Sequence, residues 1–313
     1  MRPTSAIARS SSNGSCDRGG AIFRLALIGA GRMGAAHARA LESSDVVEIA
    51  CVVDPSDAAA GAVPAPRATL DSLPAVDGFL VAVPTRLHLA VTQTLAEHGL
   101  PILCEKPCGL TTEETRAIAS LGVRVQVAYW RRFVPALRAL RERIVAGELG
   151  ELVLVSCAQL DETPPPAAFR DPVSSGGIVA DMGVHEFDQL RWLTGHDVVA
   201  VHGVAGSVGL DPPVDGDPEL VQLSVELQGG IAAAVTLARR YPPGETCRVE
   251  VIGLDGAERI DFVAPPDGDG TIAAALRAQA EDFARGGGGG TSVGDAIAAL
   301  DAAQQAKAAL GLP

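Results

Sequence analysis

The sequence predicts an α/β protein with a doubly wound parallel sheet at its N-terminal end, followed by an α+β half built on an open, mainly antiparallel sheet. Three observations carry that prediction. From about residue 23 to 128, short apolar runs alternate with helical stretches, as parallel strands joined by crossover helices require. A Gly-Ala-Gly-Arg-Met-Gly segment stands between the first of those runs and a helix of small residues. Beyond residue 150 the runs are joined by short Gly-, Pro- or Asp-containing turns, which suit antiparallel strands.

The first run, 25–28, leads straight into the glycines. Gly29 permits a tight turn, Gly31 removes the side chain that would block a pyrophosphate, and Gly34 lets the new helix pack on its strand. Free N–H groups and the positive dipole end at the start of that helix attract anions. A second strand, 46–53, ends at Asp54, twenty residues after Gly34. A carboxylate there accepts hydrogen bonds from adenine ribose hydroxyls and repels a 2′-phosphate, which favours NAD over NADP, although an Asp-Pro-Ser turn alone would also place an aspartate there. No Gly-Lys-Ser/Thr follows the glycines, so the other common phosphate loop is set aside.

Further strands are expected at 78–83, 101–104 and 123–127. Ligands of such sheets lie beyond the strand C-termini, which singles out Asp54, Pro84-Thr85, Glu105-Lys106-Pro107 and Tyr129-Trp130-Arg131-Arg132. A charged helix, 135–146, ends at Gly147 and again at Gly150, and reads as a connector. Strands then follow at 152–160, 198–204, 220–227, 231–237, 247–252 and 259–263, interrupted by one helix at 183–193. Glycines 286–290 form a flexible loop before an alanine-rich closing helix, 295–310, and no internal repeat is present. The expected division is an extension over 1–20, a nucleotide-binding domain over 21–134 and a substrate-binding and oligomerisation domain over 135–313.

At 313 residues the chain can build two cores, and its 47% apolar content is that of a globular protein. No apolar run approaches the roughly 20 residues of a membrane span. A net charge of −13 argues against nonspecific binding to nucleic acid or anionic membranes. The six cysteines are scattered, mostly in apolar contexts, which implies reduced thiols and a cytoplasmic protein. Cys104 and Cys108 flank Glu-Lys-Pro, but no neighbouring Cys or His completes a metal-ligand set, so no metal is expected. The first twenty residues lack the apolar core of a secretion signal and read as a disordered extension.

Two clusters carry chemistry. Lys106 follows an apolar strand and precedes a proline, so its ammonium is delivered to the carboxyl edge of the sheet, where it can hold or exchange a proton with a substrate hydroxyl; pairing with Glu105 in solvent is the alternative. Asp181 and His185 are four residues apart and Asp188 three further on, so on a helix they share a face. An imidazole beside a carboxylate keeps a fixed tautomer and accepts a proton near neutral pH, the base that alcohol oxidation by hydride transfer needs.

Together these stretches resemble the Gfo/Idh/MocA family of oxidoreductases, and most of all its inositol 2-dehydrogenase branch, over about residues 22–265. The resemblance rests on Gly-Ala-Gly-Arg-Met-Gly-Ala-Ala-His (29–37), Val-Pro-Thr-Arg-Leu-His (83–88), Cys-Glu-Lys-Pro (104–107), Trp-Arg-Arg-Phe (130–133) and Asp-Met-Gly-Val-His-Glu-Phe-Asp (181–188). It implies a Rossmann domain holding NAD through Gly29, Gly31, Arg32, Met33, Gly34, Asp54, Pro84, Thr85, His88 and Glu105. It also implies Lys106, Asp181 and His185 as the catalytic set, with His185 as base, Asp181 positioning it, and a cis Lys106–Pro107 bond. Trp130, Arg131, Asp161 and, more loosely, Tyr241 would line the substrate. The implied partner is a small cyclic polyol or sugar, with myo-inositol oxidised to 2-inosose as the first reading, in a homodimer or homotetramer. Segment 159–166 departs from the best-known inositol enzymes, which leaves another sugar, a nucleotide sugar or a dihydrodiol open as substrate. A non-catalytic NAD-binding sensor is the alternative from another class.

Overall fold

The computed structural model of the chain describes residues 21–207, 209 and 213–313, so the extension expected over 1–20 lies outside the described residues. Its first half runs β1 (Phe23–Ile28), α1 (Arg32–Leu41), β2 (Val47–Val53), α2 (Asp57–Gly61), β3 (Gly78–Val81), α3 (His88–Ala96), β4 (Ile102–Cys104), α4 (Thr112–Ala119), β5 (Val125–Val127) and α5 (Pro135–Val145). The second continues with β6 (Leu152–Leu160), α6 (Ala167–Arg170), α7 (Pro172–Ser175), α8 (Val184–Thr194), β7 (Val198–Gly206), β8 (Leu220–Leu227), β9 (Ala232–Ala238), β10 (Thr246–Gly253), β11 (Ala257–Val263), α9 (Gly268–Ala284), β12 (Thr291–Ser292) and α10 (Val293–Leu310).

The first sheet has the order β12-β5-β4-β3-β1-β2, with β1 to β5 all parallel. Its central strands are buried on both faces, which is why they read as continuous apolar runs rather than alternating ones. The second sheet has the order β11-β10-β6-β9-β8-β7; only β6 and β9 run parallel. Along β8 every second residue is buried, so Val221, Leu223, Val225 and Leu227 face the core. Leu220, Gln222, Ser224 and Glu226 stand on the uncovered face.

Strands β1 to β11 and the closing helix fall near where the sequence predicts them, but the short helices α6 and α7, the helix α9 and the strand β12 were not expected. The buried face of α9 consists of Ala275, Leu276, Gln279, Ala280 and Phe283, too many short side chains for a strong apolar stripe, and glycines at 268, 270 and 286–290 obscure both ends. This helix leaves the second sheet and returns to the first. Phe283 is fully buried, edge-on to Phe23 at 6.1 Å and beneath the Arg124 guanidinium at 4.2 Å. Directly afterwards β12 pairs antiparallel with β5. Residues 268–292 therefore pack on the first sheet, although the division read from the sequence groups them with 135–313.

No helix of the described residues is long and apolar enough to cross a membrane. Cys51, Cys104, Cys108, Cys157 and Cys247 are buried free thiols. Among the described residues no group of three His, Cys, Asp or Glu side chains could hold a metal ion.

Candidate active site

The glycine turn is built as its residue types require. Gly29 has φ +95°, and a Cβ there would meet the Ala82 carbonyl at 2.7 Å. A Cβ on Gly34 would stand 2.0 Å from the Gly29 oxygen, so only glycine lets α1 pack this closely. By contrast a Cβ on Gly31 would meet nothing within 4 Å, because that position opens onto the cleft. No side chain caps α1 at Gly31, which leaves its first N–H groups for an anion. Asp54 closes the turn from β2: Oδ2 accepts the Ala30 N–H at 2.7 Å and Oδ1 the Ser56 N–H at 2.8 Å. The aspartate thus caps the glycine loop from the end of the neighbouring strand.

Beyond this turn lies a cleft of about 310 Å³. Gly31, Arg32, Met33, Pro84, Thr85, Glu105 and Lys106 line it from the first half, and Phe169, Ser174, Ser175 and Asp181 from the second. The open space beside Gly31 and the uncapped helix end fit the pyrophosphate of a dinucleotide, and Asp54 fits its ribose. The second-half wall on α6 and α7 was not legible in the sequence. There Phe169 lies 5.6 Å from the Arg32 guanidinium and closes one side of the cleft.

Lys106 reaches across from the end of β4. Its Nζ donates to Asp181 Oδ1 at 2.9 Å and to the Asp181 carbonyl oxygen at 2.8 Å, rather than pairing with Glu105 in solvent, the alternative the sequence left open. The Lys106–Pro107 bond is cis. Glu105 instead accepts from buried His37, Nε2 to Oε1 at 2.7 Å, and from the Lys106 N–H at 3.1 Å. Burial pushes the Glu105 carboxyl up, but the His37 hydrogen bond and charge, with that of Lys106, outweigh it and hold it below its ordinary value.

Asp181 sits in a wide helical turn, Val179–Gly183, that runs into α8 and places His185 one turn on. Sequence spacing implied that Asp181 orients His185; the structure corrects this. Both Asp181 oxygens are taken, Oδ1 by Lys106 and Oδ2 by Arg239 Nη1 at 2.8 Å. The wide turn breaks the i,i+4 relation that a regular helix would give. Burial would raise the Asp181 carboxyl, yet the two cations hold it well below the carboxylate range. His185 lies edge-on to Tyr129 and Trp130, centroids 5.6 and 6.2 Å away, and its buried Nδ1 has no hydrogen-bond partner among the described residues. Burial first, then the charges of Lys106 and Arg131, push its pKa well below the ordinary value, against the opposing effect of Asp181. The imidazole is therefore neutral at pH 7.

Other expected ligands stand behind the cleft. His88 is buried, with its ring nitrogens 2.9 Å from the Pro107 and Val83 carbonyl oxygens, so it ties together the two loops that carry Lys106 and Pro84. Arg131 is also buried, donating to Glu186 at 2.7 Å and Gln159 at 2.8 Å, and acts on His185 through its field. Asp161 lies 3.8 Å from Arg239, its carboxyl raised to about 6 by burial against the pull of Arg239. Tyr241, half-buried, packs beside Leu160 and Ala238. Reasoning from sequence missed His37, Arg239 and Asp217, charged or polar residues whose partners are 22 or more positions away.

Residues 23–133 match the family described as oxidoreductases with an NAD-binding Rossmann fold, and residues 137–258 match the GFO/IDH/MocA C-terminal domain. The rhizopine catabolism protein MocA of Rhizobium meliloti is 46% identical over 91% of this chain and 94% of its own length. The scyllo-inositol 2-dehydrogenase (NAD(+)) of Bacillus subtilis is 33% identical over 75% of this chain and 72% of its own. Among solved structures, a myo-inositol dehydrogenase from Corynebacterium glutamicum superposes with a TM-score of 0.81 at 25% identity, covering 93% of this chain and 97% of that one.

Proposed function

This chain belongs to the Gfo/Idh/MocA family of NAD-dependent oxidoreductases, and from that premise we propose that it oxidises a ring hydroxyl of a cyclic polyol, with myo-inositol to 2-inosose as the leading reaction. One observation carries the reading: an ammonium from the first half and a carboxylate from the second line one cleft beside the glycine turn, and the charge of that ammonium reaches a buried, neutral imidazole of the second half. NAD, when bound, accepts the hydride. Gly31 and the start of α1 would receive its pyrophosphate, Asp54 its ribose, and Arg32, Met33, Pro84, Thr85 and Glu105 the rest of its length along the cleft wall. Lys106, fixed by Asp181, would donate a hydrogen bond to the reacting hydroxyl oxygen. His185, kept neutral by burial and by nearby cations, would take the hydroxyl proton, a general-base contribution of about 10²–10⁴ in rate. By the family resemblance Trp130, Asp161 and Tyr241 would bound the polyol ring, although none of the three lines the cleft beside the glycine turn.

The identity to the rhizopine catabolism protein supports a second reading, a substrate drawn from that pathway rather than unmodified inositol. A panel of cyclitols, sugars and dihydrodiols, run with NAD and with NADP and followed by reduced-cofactor absorbance, tests both. The expected result is turnover of a cyclitol with NAD preferred at least about tenfold, because Asp54 repels a 2′-phosphate. Cofactor binding without turnover of any member would contradict the assignment. The uncovered face of the second sheet supports self-association as a dimer or tetramer, to be read as the sedimenting mass.

A further inference from the structure

Asp181 is gripped from two sides, by Lys106 and by Arg239. Arg239 follows the last residue of β9 and is fully buried, with Nη1 on Asp181 Oδ2 at 2.8 Å and Nη2 on Asp217 Oδ1 at 3.1 Å. Asp217 Oδ1 also accepts the Ile178 N–H at 2.6 Å, one residue before the wide turn that carries Asp181. One buried carboxylate therefore holds both the guanidinium that grips Asp181 and the backbone on which Asp181 rides. Arg170 Nη1 lies 4.0 Å from the other Asp217 oxygen and Asp161 lies 3.8 Å from Arg239, so the cluster alternates in sign throughout.

A carboxylate turns readily about its terminal torsion, and Asp181 has two oxygens to share. With Oδ2 on Arg239 and Oδ1 on Lys106, the carboxylate is held in an orientation in which it makes no hydrogen bond to the His185 Nδ1. We propose that Arg239, backed by Asp217, is a positioning residue of the reaction: it fixes the Asp181 carboxylate, which in turn fixes Lys106 Nζ at the cleft and stays off the His185 ring. The proposal rests on the reading of Lys106 and His185 given above. Arg239 makes no contact with substrate in this scheme and acts only through Asp181. A plain structural role predicts something different, because the side chain would then serve folding and leave the chemistry of the folded enzyme alone.

The test uses the full chain with Arg239→Met, Arg239→Lys and Asp217→Asn. Three quantities are read: kcat and KM on a polyol that the wild type turns over, the acid limb of kcat/KM, and the rate of reductive methylation of Lys106 in the substrate-free protein by peptide mass spectrometry. His185 is faced by Lys106, Asp181 and Arg131, with Glu186 behind Arg131, and by Tyr129 and Trp130. Of these only Asp181 raises its pKa, so releasing Asp181 should move the acid limb upward. Arg239→Met is expected to lower kcat by about 10²-fold with NAD affinity within about twofold, Arg239→Lys to recover part of the loss, and Lys106 to methylate faster in both Arg239→Met and Asp217→Asn. A folded Arg239→Met enzyme with kcat within about threefold of wild type, an unmoved acid limb and unchanged methylation would overturn the inference. Should Arg239→Met fail to fold, the same readouts on Arg239→Lys and Asp217→Asn decide it. Should the wild type turn over no polyol, the functional reading fails and the methylation rates alone decide the role of Arg239.

Discussion

Asp161 shows how a single residue trades stability against a site. Burial raises its carboxyl to about 6 from an ordinary 3.8, more than the Arg239 charge lowers it. Below pH 3.8 the folded and unfolded chains both carry the proton and folding is not penalised. Between there and about 6 the unfolded chain ionises first, so stability falls as pH rises, and above 6 the penalty is complete. Asp161→Asn is therefore expected to stabilise the protein by about 1–3 kcal/mol at pH 7.5 and by little at pH 4, measured by urea unfolding at both values. Equal effects at the two pH values would contradict the assignment. At this scale the sequence was legible wherever a residue type has one physical use. Gly29, Gly31 and Gly34 could be given separate roles, and each is found in the surroundings its role demands. Lys106 was legible because a strand end aims it. Arg239 was not, because a charged residue ending an apolar strand says nothing about partners 22 and 58 positions away.

At the scale of elements, the strands were readable from apolar runs and the wide turn before α8 was not. Spacing of four residues promised that Asp181 and His185 would meet, and the extra width at Val179–Gly183 turns the carboxylate to Lys106 and Arg239 instead. The return helix α9 was hidden by its alanines, yet it closes one face of the first sheet through Ala280 and Phe283. Removing the fully buried Phe283 ring would leave a cavity against Phe23 and uncover the Arg124 stem. Phe283→Ala is expected to cost about 3–5 kcal/mol in chemical denaturation. A loss below about 1 kcal/mol would mean that α9 does not brace the sheet as described.

At the scale of the whole molecule, neither half holds a complete site. The first sheet supplies the glycine turn, Asp54 and Lys106; the second half supplies Asp181 and the wall around Phe169, with His185 buried one turn beyond Asp181. Hydrogen bonds from Lys106 to Asp181 span the two, and α9 with β12 ties the chain back to the first sheet after the second has formed. In the proposed reaction the ammonium is delivered by the first sheet to a carboxylate carried on the wide turn before α8 in the second half. The most direct measurement is turnover of the Lys106→Met variant beside its NAD affinity, the latter read by quenching of protein fluorescence. The expected result is a fall in kcat of about 10² or more on the preferred polyol with NAD affinity within about twofold of wild type. Turnover within about tenfold of wild type, at unchanged NAD affinity, would contradict the account.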